Sequence, residues 1–180
     1  GSDAIFLDAN ENPLGSASGQ EYNRYPNPYN THIRQKAAAL RNVVKEQVFM
    51  GNGSDEAIDL LYRAFCEPGR DNVIICPPTY GMYETSAHLN NVALKEVLLT
   101  DDFQLDLEAI HAATDASSKM IFLCSPNNPT GNLLHSEDIK WILKTFPGLV
   151  IIDEAYIDFS PAESWVSRLE HYPNLVVLQT

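Results

Sequence analysis

Hydrophobic positions along the chain fall into two kinds of segment that alternate. Short apolar runs occur at residues 72–76, 92–98, 120–124, 149–152 and 175–178. Between them, residues 81–89, 105–114, 136–145 and 161–171 have the length and composition of helices. A strand that is apolar on both faces suits a parallel sheet covered by helices on both sides, and its alternation with helices is the pattern of βαβ units. The predicted fold class is therefore α/β, an open and mostly parallel sheet with right-handed crossovers.

Two more helices are predicted ahead of the first run. Residues 31–44 (THIRQKAAALRNVV) have a polar start and an alanine-rich middle. Residues 54–65 place Ala57, Ile58, Leu61 and Phe65 on one face, with Ser54 as the N-cap and acidic residues in the first turn. Residues 48–50 just before it look like a short strand. Residues 3–28 are rich in Asn, Pro, Gly and Ser without sustained periodicity. The expected organisation is an irregular arm over residues 1–28 and an α/β domain over 29–180. The chain stops on a strand, residues 175–180, which reads as a cut.

Composition narrows the function classes. A formal net charge of −12 argues against nonspecific binding to nucleic acid or an anionic membrane surface. No apolar run approaches the ~18 residues of a membrane span. No secretory signal is visible, Gly1-Ser2 reads as an expression scar, and a cytoplasmic setting is expected. Cys66, Cys76 and Cys124 each lie beside or inside an apolar segment, as buried reduced thiols do. The five histidines show no metal-ligand spacing, so no metal is expected.

Three segments put polar residues where strands end and helices begin, the usual place for a ligand in an open α/β sheet. Gly51-Asn52-Gly53-Ser54-Asp55-Glu56 could bring backbone N–H groups and a helix dipole to a phosphate, or simply be a glycine-rich turn. Ser125-Pro126-Asn127-Asn128-Pro129-Thr130-Gly131 fixes an irregular backbone, which could present a side chain or only reverse the chain. The sharp turn predicts a cis Asn128–Pro129 bond, since X–Pro is where cis costs only ~0.5–1 kcal/mol. Asp153-Glu154-Ala155-Tyr156 puts a carboxylate at the end of a buried run, where it needs a partner: a bound cationic group, or a structural one such as a helix N-terminus.

Taken in order, Asn-Pro-Thr-Gly after one strand and Asp-x-Ala-Tyr after a later one resemble the fold-type I aminotransferases. Asn10-Glu11-Asn12-Pro13, Asn23-Arg24-Tyr25-Pro26, Pro77-Pro78-Thr79-Tyr80-Gly81-Met82-Tyr83 and Asp153 to Phe159 are similar to the histidinol-phosphate aminotransferases among them. The resemblance runs from Leu7 to Thr180 and implies pyridoxal 5'-phosphate as cofactor. It implies that Ser54 and Asp55 hold the cofactor phosphate through their backbone. Tyr80 stacks on the ring, Asn128 and Tyr156 meet the phenolic oxygen, and Asp153 pairs with the ring nitrogen. It also implies a homodimer in which Tyr25 reaches the other subunit's cofactor phosphate, and Asn12 borders the substrate. The implied substrates are histidinol phosphate with imidazole-acetol phosphate, and glutamate with 2-oxoglutarate.

One departure is large. In the family the cofactor-bearing lysine lies a few residues past a strand like residues 175–178, and none of Lys36, Lys45, Lys95, Lys119, Lys140 and Lys144 matches that context. Residues 29–180 are accordingly expected to be a cofactor-binding large domain truncated before that lysine, and inactive alone. Alternatives are an aminotransferase of aromatic amino acids, a phosphate-ester decarboxylase, or a non-catalytic half-domain.

Overall fold

A computed structural model describes residues 9–20 and 22–180. The opening Gly1-Ser2 and Leu7, where the resemblance begins, lie outside the described residues. The chain forms two compact units, residues 1–50 and 51–180. The expected boundary near residue 28 differs from this one by the segment 29–50.

The first unit holds helix α1 (Thr31–Arg41), closed by Asn42 in the left-handed conformation with its N–H on the Ala38 carbonyl. It is three residues shorter than predicted. The left-handed turn at Asn42 ends it, and only then does Lys45–Gln47 form a short 3-10 turn. Residues 48–50 form no strand.

The second unit contains helices α2 (Gly53–Phe65), α3 (Met82–Leu89), α4 (Leu107–Ala113) and α5 (Ser136–Thr145). Its strands are β1 (Asn72–Ile75), β2 (Ala93–Glu96), β3 (Ser118–Cys124), β4 (Leu149–Asp153) and β5 (Leu175–Leu178). They form one sheet in the order β2-β1-β3-β4-β5, and every pairing is parallel. Strand order reverses between β1 and β3, which opens a crevice at their carboxyl ends.

Alternate side chains of the strands build two cores. Ile74, Ile121, Leu123, Val150 and Ile152 pack under α4 and α5, burying Ile110, Ile139 and Ile142. Val73, Ile75, Met120, Phe122 and Ile151 pack under α2 and α3, burying Ile58, Tyr62, Tyr83 and Ala87. Tyr62, four residues after Ile58, therefore occupies the core position expected for Phe65, which is half exposed. Residues 161–171 form only a 3-10 turn, Trp165–Arg168, instead of the predicted helix. Local side-chain acceptors take the N–H groups that would start one: Ser160 Oγ bonds Ala162 N, Glu154 bonds Trp165 N, and Ser164 Oγ bonds Val166 N.

Gly148 lets β4 start against β3. A Cβ there would lie 2.1 Å from the Lys119 carbonyl oxygen, which is fixed in the ladder. Gly148→Ala is expected to cost about 1–3 kcal/mol, the usual penalty of overpacking. A thermal melt checks it, and an unchanged midpoint would mean that the two strands separate freely there.

Candidate functional site at the carboxyl edge of the sheet

Asp153 ends β4 in register with Cys124 of β3 and Leu178 of β5, at the carboxyl edge. Its residue is only 2% exposed. The Tyr83 hydroxyl donates to Oδ2 at 2.7 Å, and the Ala155 N–H donates to the other oxygen at 3.1 Å. No ion pair among the described residues includes it. Burial raises its pKa above the ordinary carboxylate value, and the nearby Asp55 charge adds to that. The bonds from Tyr83 and Ala155 oppose both. Such a carboxylate is an electrostatic acceptor for a buried cation.

The neighbouring carboxylate is differently placed. Glu154 is also buried, yet it accepts from Ser164 Oγ at 2.6 Å, Trp165 N at 2.7 Å and Gln179 Nε2 at 2.8 Å. Its bonds are spent on the protein, so it ties the segment after β4 to the residue after β5.

On the α2 side, Gly53 has φ +80°, a conformation that a side chain rarely adopts, and it turns the chain into the helix. Asn52 rather than Ser54 is the N-cap, and the Glu56 carboxylate reaches back to the Asn52 N–H. Ser54 and Asp55 thus lie in the first turn, where helix N–H groups lack intrahelical partners and the dipole favours an anion. The Asp55 carboxylate accepts from the Tyr80 hydroxyl at 3.0 Å. Tyr80 packs edge-on against Tyr83, with ring centroids 5.6 Å apart. Its own phenol is pushed upward by burial and by Asp55, with smaller contributions from Asp153 and Tyr156. Asp55, Tyr80, Tyr83 and Asp153 therefore form one contiguous chain of contacts.

Asn128 and Tyr156 line a cleft of about 490 Å³ together with Asn127, Gly131 and Phe159, whereas Ser54, Asp55, Tyr80 and Asp153 are not among its lining residues. The Asn128–Pro129 bond is cis, as the turn chemistry predicts, and so are Pro77–Pro78 and Ser125–Pro126. Asn127 fastens the two loops: Nδ2 donates to the Pro78 carbonyl at 2.9 Å and Oδ1 accepts from Thr79 Oγ1 at 3.1 Å. Sequence reading assigned no role to Asn127, Tyr83 or the Asp55 side chain. Tyr83 carried a usable signal, since it stands three residues after Tyr80 in the same motif. For Asn127, only its place inside the motif pointed to it.

Asn12 and Tyr25 belong to the first unit. Asn12 spends its side chain on its own loop, accepting from Leu14 N at 3.0 Å and donating to the Gly15 carbonyl at 2.8 Å. The Tyr25 N–H donates to Glu11 at 2.6 Å, Glu11 also pairs with Arg24 at 2.9 Å, and Tyr25 as a residue is 73% exposed. All three cysteines are free and buried, and burial pushes Cys76 up to about 12. Among the described residues no cluster could hold a metal, and no helix is long and apolar enough to cross a membrane.

The family model described as aminotransferase class I and II matches residues 3–180. Histidinol-phosphate aminotransferases of Cytophaga hutchinsonii and Christiangramia forsetii are 55% and 53% identical over 180 residues, all of this chain. The chain spans about half the length of these curated relatives, 52% and 50%. Among solved structures, the histidinol-phosphate aminotransferase of Clostridium acetobutylicum is 27% identical with a TM-score of 0.75, over 87% of this chain and 46% of that one. The Sinorhizobium meliloti enzyme in complex with pyridoxal-5'-phosphate shares the fold, with a TM-score of 0.79 at 24% identity, over 96% of this chain and 50% of that one.

Proposed function

Because the chain belongs to the class I and II aminotransferase family, we propose that the full-length protein transfers an amino group between histidinol phosphate and 2-oxoglutarate on pyridoxal phosphate, in histidine biosynthesis. Imidazole-acetol phosphate and glutamate are the products. The observation that carries the reading is Asp153, a buried carboxylate at the carboxyl edge of the sheet with two neutral donors and, among the described residues, no ion-pair partner. A protonated ring nitrogen is a partner of the right charge.

Bound pyridoxal phosphate supplies the electron sink and the carbonyl that takes up and returns the amino group. The protein's part is to bind and orient it. Asp153 would keep a proton on the ring nitrogen, and Tyr80 would supply an aromatic contact to the ring, worth about 0.5–1.5 kcal/mol beyond its area. Asn128 and Tyr156 hydrogen-bond the phenolic oxygen. The backbone N–H groups of Ser54 and Asp55 hold the phosphate at the α2 N-terminus. In the homodimer, Tyr25 reaches the phosphate of the other subunit, and its exposed side chain is free to do so. Asn12 borders the substrate. The cytoplasm, with its reduced thiol pool, suits three free buried cysteines.

The test is amino transfer by the full-length protein supplied with pyridoxal phosphate. kcat/KM for histidinol phosphate should exceed that for phenylalanine by at least roughly a hundredfold, because a site built for a polar group is left unpaired by an apolar one. A preference for phenylalanine would mean an aromatic aminotransferase, and release of carbon dioxide without amino transfer from a phosphorylated amino acid would mean a decarboxylase.

A further inference from the structure

We propose that Tyr83 is a positioning residue whose buried hydroxyl holds the Asp153 carboxylate in the orientation that meets a cationic ring at the carboxyl edge of the sheet. The inference rests on the reading above for the identity of that ring.

Tyr83 is fixed from three sides. Its ring stacks on Phe122 at 4.6 Å and 15°, and Phe122 stacks in turn on Tyr62 at 5.7 Å. The Tyr62 hydroxyl donates to the Tyr83 carbonyl at 2.9 Å, which ties down the backbone as well. The Tyr80 ring meets it edge-on. The phenol is fully buried, and burial, reinforced by the charge of Asp153, keeps it protonated and therefore a donor. The geometry leaves that donor one charged acceptor, Asp153 Oδ2 at 2.7 Å. With Ala155 N–H on the other oxygen, each oxygen has one donor, and the remaining lone pairs are available to a ligand.

A tyrosine kept only for packing would need some acceptor for its hydroxyl, and any carbonyl would serve. Choosing the carboxylate has a further consequence. The groups around Asp153 are Asp55 from α2, Tyr80 just before α3, Tyr83 in the first turn of α3 and Cys124 from the end of β3, with Tyr156 after β4 near Tyr80. Asp55 and burial favour the neutral acid, and Cys124, pushed up to about 11, stays a thiol. Among these side chains Tyr83 is the donor that opposes both effects. Losing its hydroxyl frees the carboxyl to rotate and to take up a proton, and a neutral acid pairs poorly with a cationic ring.

The experiment uses Tyr83→Phe in the full-length protein, with two readouts. In cofactor-free protein carrying 13C-labelled aspartate, the Asp153 signal, assigned with Asp153→Asn, should titrate at higher pH in the variant than in the wild type. Affinity for pyridoxal phosphate should fall roughly ten- to a hundredfold, as for loss of a hydrogen bond to a charged group. Affinity for the analogue with a ring CH in place of the ring nitrogen should stay within about twofold. Should Tyr83→Phe not fold, a more acidic fluorotyrosine at 83 keeps the packing and should move the titration to lower pH. An unmoved Asp153 titration, or equal losses for both ligands, overturns the proposal. If Asp153→Asn leaves the affinity ratio of the two ligands as in the wild type, the ring-nitrogen pairing has failed and the proposal falls with it. That outcome is distinguishable, because it appears with Tyr83 intact.

Discussion

Asp153→Ala is expected to lower the turnover of the full-length protein by at least about a hundred- to a thousandfold while the fold survives. The magnitude is that of removing one preorganised electrostatic group from an active site. On the proposed pairing, removing the carboxylate would leave the ring nitrogen without the group that keeps it protonated, and the ring would withdraw electrons less well. Turnover by amino transfer and the circular dichroism spectrum decide the matter together, and near-normal turnover in a folded variant refutes the role. The same residue carries a stability signature. Burial first, and Asp55 second, raise its folded pKa. A carboxyl raised in the folded state contributes stability that is whole below the ordinary carboxylate range and lost as pH climbs through the raised value. Cofactor-free Asp153→Asn should therefore melt above the wild type at neutral pH, with the difference shrinking in acid.

Phe122→Ala should be the most destabilising single change on the α2–α3 face of the sheet, at about 3–5 kcal/mol. The ring is buried and sandwiched between Tyr62 and Tyr83, whose own hydrogen bonds keep them from closing the space. Domains are stable by only about 5–15 kcal/mol, so this is a large fraction of the whole. The vacated volume also removes the face against which Tyr83 is stacked, so the Asp153 carboxylate should loosen with it. Urea unfolding of the full-length protein measures the loss. A change below about 1 kcal/mol would show that the surrounding rings collapse into the gap.

The sheet was legible because its strands are buried on both faces. Residues 120–124 and 149–152 are uninterrupted apolar runs, and their shortness and alternation with helices mark them as strands of a covered parallel sheet. The glycine- and proline-rich turns were legible for a related reason. Glycine, proline and asparagine at 51–53 and 125–131 specify local backbone that does not depend on distant contacts. What failed was local in another way. The helix expected over 161–171 has adequate propensity, but Glu154 and the serines at 160 and 164 capture its first N–H groups. Phe65 and Tyr62 are both apolar enough for the core, and only the packing of α2 on the sheet chooses Tyr62.

From the sequence alone came the class of fold, the polar turns at 51–56 and 125–131 and the strand-end carboxylate Asp153, since periodicity and turn chemistry are properties of neighbours along the chain; Asn128, Tyr156 and Tyr80 were singled out only by the family resemblance. The tertiary structure alone decided the order β2-β1-β3-β4-β5 and who stands beside whom at its carboxyl edge. Tyr83 and Asp153 are 70 positions apart, and Tyr80 and Asp55 are 25 apart. Bonds over such separations are set by packing of α2 and α3 on the sheet, which no local pattern encodes. The sequence required a partner for Asp153; the packing supplied a phenol hydroxyl and a backbone N–H in place of a helix N-terminus, and among the described residues no cation pairs with it.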